Sequence, residues 1–235
     1  VLLPNEDSGS IAYINQLCNN EPDFAYPMMG LHPTSVKDDY MNELKTIEYY
    51  LARHTYYAIG EIGIDLYWDK NFLKEQIIVF EEQLHWSIDM QLPVVIHSRN
   101  SLNEILESIY KVGVDKLKGV FHCFGGTTHE WNEISKLSSF YVGIGGIVTF
   151  KKNELKETIK HIPIERILLE TDAPYLAPVP YRGKRNEPAY MIETAKKVAG
   201  YYGMTTEDIA KHTFQNSLSL FYIPINNIDV EVFYD

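Results

Sequence analysis

Cysteine is scarce in this chain: there are two, Cys18 and Cys123, among 235 residues. Two cysteines make no disulfide framework, and they point to a reducing compartment, so we expect a cytoplasmic protein. No apolar run approaches the roughly 18 residues that cross a bilayer, so we expect no membrane partner. The first residues, Val1-Leu2-Leu3-Pro4-Asn5-Glu6-Asp7, have neither the basic region nor the long apolar stretch of a signal peptide. Positive charge is in deficit too. Against 32 Asp and Glu stand 21 Lys and Arg, a formal net charge of −11. That balance argues against a broad electrostatic grip on nucleic acid, which needs a basic surface. A phosphate-bearing substrate would have to be met by local cations, either metal ions or a small Lys/Arg patch. Repeats, low-complexity tracts and interdomain linkers are absent, and nothing predicts a protein partner.

What is present suits a globular α/β protein. The chain is 45% hydrophobic, 23% charged and 13% aromatic, enough to bury a sizeable core. We expect residues 1–235 to form a single domain, with about 223–235 as a C-terminal extension. Short apolar runs alternate with helical patterns. Strands are expected at Val1–Pro4, Phe24–Met29, Tyr57–Ile59 (ending at Glu61), Pro93–Ile96, Lys118–Phe121, Phe140–Ile144 and Arg166–Leu169. Helices are expected at Ser10–Cys18, Met41–Arg53, Phe72–Met90, Leu102–Lys111, Trp131–Leu137, Asn153–His161, Met191–Tyr202 and Thr206–His212, with Ser217–Tyr222 closing the last. Such alternation predicts a mainly parallel sheet with helices outside it. Seven strands suit an open doubly wound sheet, whereas a (β/α)8 TIM barrel needs eight. The polar residues decide between them.

Glu61 stands between Gly60 and Gly63 at the end of an apolar run, where a charge is costly unless it is paired or bound to metal. His97, His122 and Asp172 stand at or just past the ends of three other expected strands. Barrel active sites are assembled at that face from several strand ends. Two imidazoles and a carboxylate with open positions make a sensible catalytic metal site. Asp172 could ligate metal or take a proton from bound water. Taken singly, each has a bland reading: a rim histidine, or an aspartate capping a turn. Four at one register are harder to dismiss. His32 either contacts substrate, supports a ligand or is a turn residue fixed by Pro33. Asp65 either orients a ligand or caps the following loop. Arg99 either meets an anionic substrate or pairs at a helix start. Arg182 lies in the basic cluster Tyr181–Asn186, as apt to be a solvated loop as a phosphate contact. Cys123 reads as buried packing, and His54, His85, His129, His161 and His212 as surface or packing residues.

Five motifs then appear in order: Gly30-Leu31-His32-Pro33, Gly60-Glu61-Ile62-Gly63-Ile64-Asp65, Pro93-Val94-Val95-Ile96-His97-Ser98-Arg99, Phe121-His122-Cys123-Phe124-Gly125-Gly126, and Glu170-Thr171-Asp172 running on to Pro178. With Arg182–Pro188 they resemble the TatD-type metal-dependent deoxyribonucleases, over Val1 to about Phe221. The resemblance implies a TIM barrel of the amidohydrolase type that cleaves DNA phosphodiesters with divalent metals, two in the complete protein (Mg²⁺, Mn²⁺ or Zn²⁺). It implies that Glu61 bridges the metals, that His97 and His122 hold one, and that Asp172 helps hold the other and the attacking water. Glu61 and Asp172 would then be the catalytic carboxylates, and His32, Arg99 and Arg182 substrate contacts. The substrate expected is a DNA strand end or single strand. The family's Asp-x-His-x-His motif of the first strand is absent, so we expect this stretch to lack the first strand–helix unit of a longer protein. Two other functions stay open: an amidohydrolase-like enzyme acting on an ester, amide or lactone, and an inactive barrel that binds a partner or metal.

Overall fold

The computed structural model describes residues 1–68 and 70–223; from residue 224 on, the expected extension lies outside the described residues. The chain divides into two compact units, Val1–Gly119 and Val120–Asp235.

The first unit runs β1 (Leu2–Leu3), α1 (Ile11–Asn20), β2 (Tyr26–Pro27), α2 (Tyr40–Leu51), β3 (Ile59–Asp65), α3 (Leu73–Met90), β4 (Val94–Arg99) and α4 (Leu102–Val112). Parallel pairing joins β1 with β2, Met29 with Ile59 in an isolated bridge, and β3 with β4. Ile59, Ile62, Ile64, Val94 and Ile96 are fully buried, as a strand covered on both faces requires.

Two strands run further than the apolar runs suggested. Glu61 does not end its strand; it lies inside β3, and β4 continues through His97 to Arg99. The reason is pairing. After a register shift between Ile59 and Ile62, the ladder matches Gly63 to His97, Ile64 to Ser98 and Asp65 to Arg99. Gly63 permits this approach. Its φ is +146°, and a Cβ there would lie 1.9 Å from the His97 carbonyl oxygen.

Helix α3 lies against β3 with Gln76, Val79, Phe80, Gln83, Leu84, Trp86 and Ser87 buried. It stops where Gln91 turns left-handed at φ 56°, and Ser87 Oγ there donates to the Leu92 carbonyl at 2.6 Å.

β5 (Gly119–Phe121) starts at the last residue of the first unit, and the second goes on through α5 (Thr128–Ser135), β6 (Phe140–Ile144), α6 (Leu155–Thr158), β7 (Ile167–Leu169), α7 (Met191–Tyr202) and α8 (Thr206–Phe221). β6 and β7 are parallel, with Val142 opposite Ile167 and Ile144 opposite Leu169. Arg166 fastens their starts: its Nη2 donates to the Leu137 carbonyl at 2.7 Å and its Nε to the Phe140 carbonyl. A capping box between Thr127 and Glu130 opens α5. The expected helix over Asn153–His161 is shorter, a single α-turn tightening into a 3-10 turn at Ile159–His161 ahead of Pro163. Conversely, α8 is one helix where two segments were expected. The polar break is absorbed inside it, since the Thr213 and Ser217 hydroxyls donate to the Ile209 and Thr213 carbonyls at 2.8 and 2.9 Å. Among the described residues no helix is long and apolar enough to cross a membrane.

Candidate metal centre

In the first unit the structure brings together Glu61 and His97 of the expected set and adds His32. Glu61 Oε1 lies 2.9 Å from His97 Nδ1 and 3.4 Å from His32 Nε2. The two imidazoles stand nearly edge to face, with centroids 4.7 Å apart. One ligand atom from each of the three residues lies within 4.8 Å of the other two. Both histidine side chains are 16% exposed and Glu61 13%, so the centre is sheltered yet reachable. Two imidazole nitrogens and a carboxylate oxygen at this spacing fit a divalent cation.

Each ring is oriented by its far nitrogen. His97 Nε2 lies 2.8 Å from Asp65 Oδ2, a carboxylate that is 1% exposed. Holding Nε2–H on that anion leaves the Nδ1 lone pair directed toward Glu61. Asp65 does both things proposed for it, because its other oxygen caps the next loop, accepting from Tyr67 N at 2.9 Å and Trp68 N at 3.0 Å. Burial alone would raise the Asp65 carboxyl, but donation from His97 and from the Trp68 and Tyr67 amides outweighs it. The net effect holds the group below its ordinary value of 3.8. On His32 the far nitrogen, Nδ1, meets Thr34 Oγ1 at 2.6 Å and the Thr34 amide at 3.2 Å. The Thr34 amide donates to Nδ1, so that nitrogen is the acceptor and the ring is held with Nε2 facing Glu61.

The backbone carrying these residues is clamped from helix α3. Gln76 Oε1 accepts from the Asp65 amide at 2.8 Å, and its Nε2 donates to the Asp65 carbonyl at 3.3 Å. Gln83 does the same to Leu31, the residue before His32, at 2.6 and 3.3 Å. Asn5 Nδ2 donates to the Gly30 carbonyl at 2.8 Å, and the His32 amide donates to the Glu6 carbonyl at 2.9 Å.

The second unit holds its own histidine–carboxylate pair. His122 follows β5 directly, and its Nδ1 lies 3.4 Å from Glu170 Oε1. The same oxygen accepts from the Cys123 amide at 2.7 Å. Gly143 makes room for this carboxylate, since a Cβ there would lie 2.2 Å from Glu170 Oε2. Cys123 is therefore not the buried packing residue expected. Its thiol is half-buried, and its backbone, at φ 48°, is shaped by the bond to Glu170. Asp172 sits in the turn after β7 at φ 48°, its carbonyl accepting from the Tyr175 amide at 2.7 Å. Arg182 lies over the Phe150 ring, 3.9 Å from its centroid, and donates to the Ala177 carbonyl at 3.3 Å. Arg99, in the first unit, lies over Tyr67 rather than in an ion pair at a helix start.

The model of the TatD-related DNase family matches residues 1–222. The chain belongs to that family. Across 204 residues this TatD-family chain is 39% identical to an uncharacterized metal-dependent hydrolase, YabD, of Bacillus subtilis (strain 168), covering 86% of this chain and 80% of that one. It is 31% identical to a 3'-5' ssDNA/RNA exonuclease TatD of Pantoea vagans, covering 89% and 82% of the two chains. Among solved structures it is similar to the TatD homologue YJJV of Escherichia coli K12, with TM-score 0.85 at 26% identity over 95% of this chain and 86% of that one. A TIM-barrel protein of Bordetella bronchiseptica shares the fold at TM-score 0.62, at 9% identity over 94% of this chain and 76% of that one. The fold class is therefore the α/β TIM barrel of this family, and the chain is by class a metal-dependent hydrolase.

Some residues of the centre were legible only in part. His32 read as a substrate contact or a support, whereas its Nε2 joins the donor cluster. Glu170 stood inside a quoted motif without a role. The signal for it was positional: a carboxylate directly after a buried apolar run. Gln76 and Gln83 lie on the buried face of α3 and were assigned no role from the sequence. A polar side chain on an otherwise apolar stripe was the available clue. The five histidines set aside as surface or packing residues are so placed: His54, His85, His129 and His161 are exposed and His212 is intermediate.

Proposed function

We propose that this TatD-family chain is a nuclease that hydrolyses phosphodiester bonds at DNA strand ends or in single strands. The observation that carries this reading is the His32–Glu61–His97 donor cluster, oriented by the buried Asp65. Glu61 and His97, with His32, would hold a divalent ion, and His122 and Asp172 carry the further ligand and water-orienting roles that the family likeness implies. When bound, such an ion supplies Lewis acidity to water and positive charge to the phosphate oxygens. The chain's own residues do the rest. Asp65 keeps the His97 tautomer, and Glu61 and Asp172 are the carboxylates able to orient a water and accept its proton. Arg99 and Arg182 are the cations available to the phosphates of a strand that the net charge of −11 otherwise repels. This is why strand ends and single strands, rather than long duplex, are the expected substrates. Residues 1–235 would act as one hydrolase domain.

The test is chelator-stripped protein supplied with Mg²⁺, Mn²⁺ or Zn²⁺ and end-labelled single-stranded DNA, with ester, amide and lactone substrates in parallel. Metal-dependent shortening of the DNA is expected, falling at least a hundredfold in Glu61→Ala and His97→Ala. Variants that digest DNA as fast as the parent refute the site, and turnover of the small substrates alone refutes the substrate class.

A further inference from the structure

We infer that Tyr67, Trp68 and Arg99 form a nucleobase-stacking platform beside the metal centre, a deepening of the nuclease reading just given. Tyr67 is 55% exposed and Trp68 69%, so two adjacent aromatic side chains stand largely in water. Two large rings exposed side by side offer faces on which a flat apolar group can pack. Their rings meet edge to face, with centroids 5.0 Å apart at 89°. The Arg99 guanidinium lies over both, 3.9 Å from the Tyr67 centroid and 5.5 Å from that of Trp68.

The segment bearing these rings is anchored. Asp65 Oδ1 accepts from both the Tyr67 and Trp68 amides, and the Leu66 amide donates to the Arg99 carbonyl at 2.9 Å. The second oxygen of that same Asp65 holds His97. One buried carboxylate thus fixes both a ring of the metal centre and the backbone of the platform, so the two keep a constant relation. A site prepared this way loses little ordering entropy when a ligand docks.

The chemistry selects the ligand. Every base has a π-face that stacks on an aromatic ring whatever the sequence, and a guanidinium adds both stacking and charge for the neighbouring phosphate. With a net charge of −11, the chain cannot hold a strand through its overall field. Stacking is the source of affinity that needs no excess of cations. The platform therefore takes a base of a single-stranded segment whose backbone passes the metal centre.

The experiment measures binding of a fluorescent oligothymidylate by anisotropy, in EDTA and again with Ca²⁺, with single abasic replacements walked along the strand. Tyr67→Ala and Trp68→Ala should each weaken binding about five- to a hundredfold, the range for losing one stacked base. In the parent protein one abasic position should cost a similar factor, and the same replacement should cost Trp68→Ala nothing further. Circular dichroism and melting curves check that the variants remain folded. The platform is overturned if both variants bind like the parent, if the abasic penalty persists in Trp68→Ala, or if the parent binds no oligonucleotide in either buffer. Binding that depends on the platform without cleavage on adding Mn²⁺ would sink the nuclease reading alone. Cleavage indifferent to both variants and to abasic sites would sink the platform alone.

Discussion

Replacing Gln83 with Met tests how the first unit holds His32. The two side chains are similar in length and volume, so the change removes an amide without opening a sizeable cavity. Gln83 is fully buried and makes both its hydrogen bonds to Leu31, the residue before His32. Leaving a buried amide N–H without its partner costs about 1–3 kcal/mol, and the longer bond to the carbonyl adds about 1 kcal/mol. The expected loss is therefore about 2–4 kcal/mol, a large fraction of the 5–15 kcal/mol typical of a folded protein. For a chain of this size that corresponds to a fall in Tm of about 5–15 °C. Urea unfolding followed by circular dichroism measures it, read as a lower midpoint at unchanged slope. Glu82→Met, an exposed neighbour on the same helix, serves as control and should change stability by less than about 0.5 kcal/mol. The clamp has a second consequence. Once Leu31 is loosened, His32 loses its fixed approach to Glu61, so metal affinity should fall beyond what lower stability explains. A Gln83→Met protein with the parent's midpoint and metal affinity would refute the reasoning.

Three further outcomes follow from other contacts. Asp65→Asn removes the anion that holds His97 Nε2–H, so divalent-metal affinity measured by calorimetry should drop about 10- to 100-fold, the usual cost of losing an outer partner; an unchanged affinity would show that His97 orients itself. Gly143→Ala puts a Cβ 2.2 Å from Glu170 Oε2 and must expel that carboxylate from the Cys123 amide, whereas Gly183→Ala, at φ +82° with nothing within 4 Å, meets only backbone strain of about 1–2 kcal/mol; Gly143→Ala should therefore melt lower, and the reverse order would refute the packing argument. Tyr202 is half-buried, and its loss of solvation raises its phenol well above the ordinary 10; its hydroxyl donates to the Ile159 and Ile162 carbonyls. The raised value means its contribution is full below the unfolded pKa of about 10 and is lost as pH climbs from there toward the folded value. Tyr202→Phe should be less stable at pH 7 by about 1–2 kcal/mol and lose less than the parent between pH 9 and 11, as pH-resolved urea titrations would reveal.

Most of the architecture was readable because periodicity and alternation are local. Met191–Tyr202 is a helix with the bounds its apolar spacing gave, and Phe140–Ile144 is the strand its apolar run gave. What could not be read was decided by partners distant in sequence. β3 outruns its apolar stretch because β4 offers hydrogen bonds as far as Arg99, and a single chain does not display its neighbour. Glu61 and His97 could be nominated from their places near strand ends. For Asp65 both roles were nominated, but only as alternatives; that it fills both at once could not be read, since its two oxygens serve a histidine 32 residues away and amides two and three residues on. Cys123 was misread for the same reason: alternation assigns a face to a side chain, but its backbone is set by Glu170, 47 residues away.

The clamps on α3 show how such a centre is kept rigid. Gathering His32, Glu61, His97 and Asp65 at one place leaves strand-end backbone without regular ladder partners just where precision matters most. A purely apolar α3 would pack well against β3 yet leave the Leu31 and Asp65 amides unmatched. Gln76 and Gln83, two turns apart on its buried face, supply one acceptor and one donor to each. Their long side chains let the helix keep its packing distance while reaching the main chain. Removing either should thus act on the centre without touching a ligand, so its effect on metal affinity should exceed that of a core truncation of equal stability cost, such as Val79→Ala. If the two variants lower metal affinity equally, then stability alone, and not the clamp, governs the geometry of the centre.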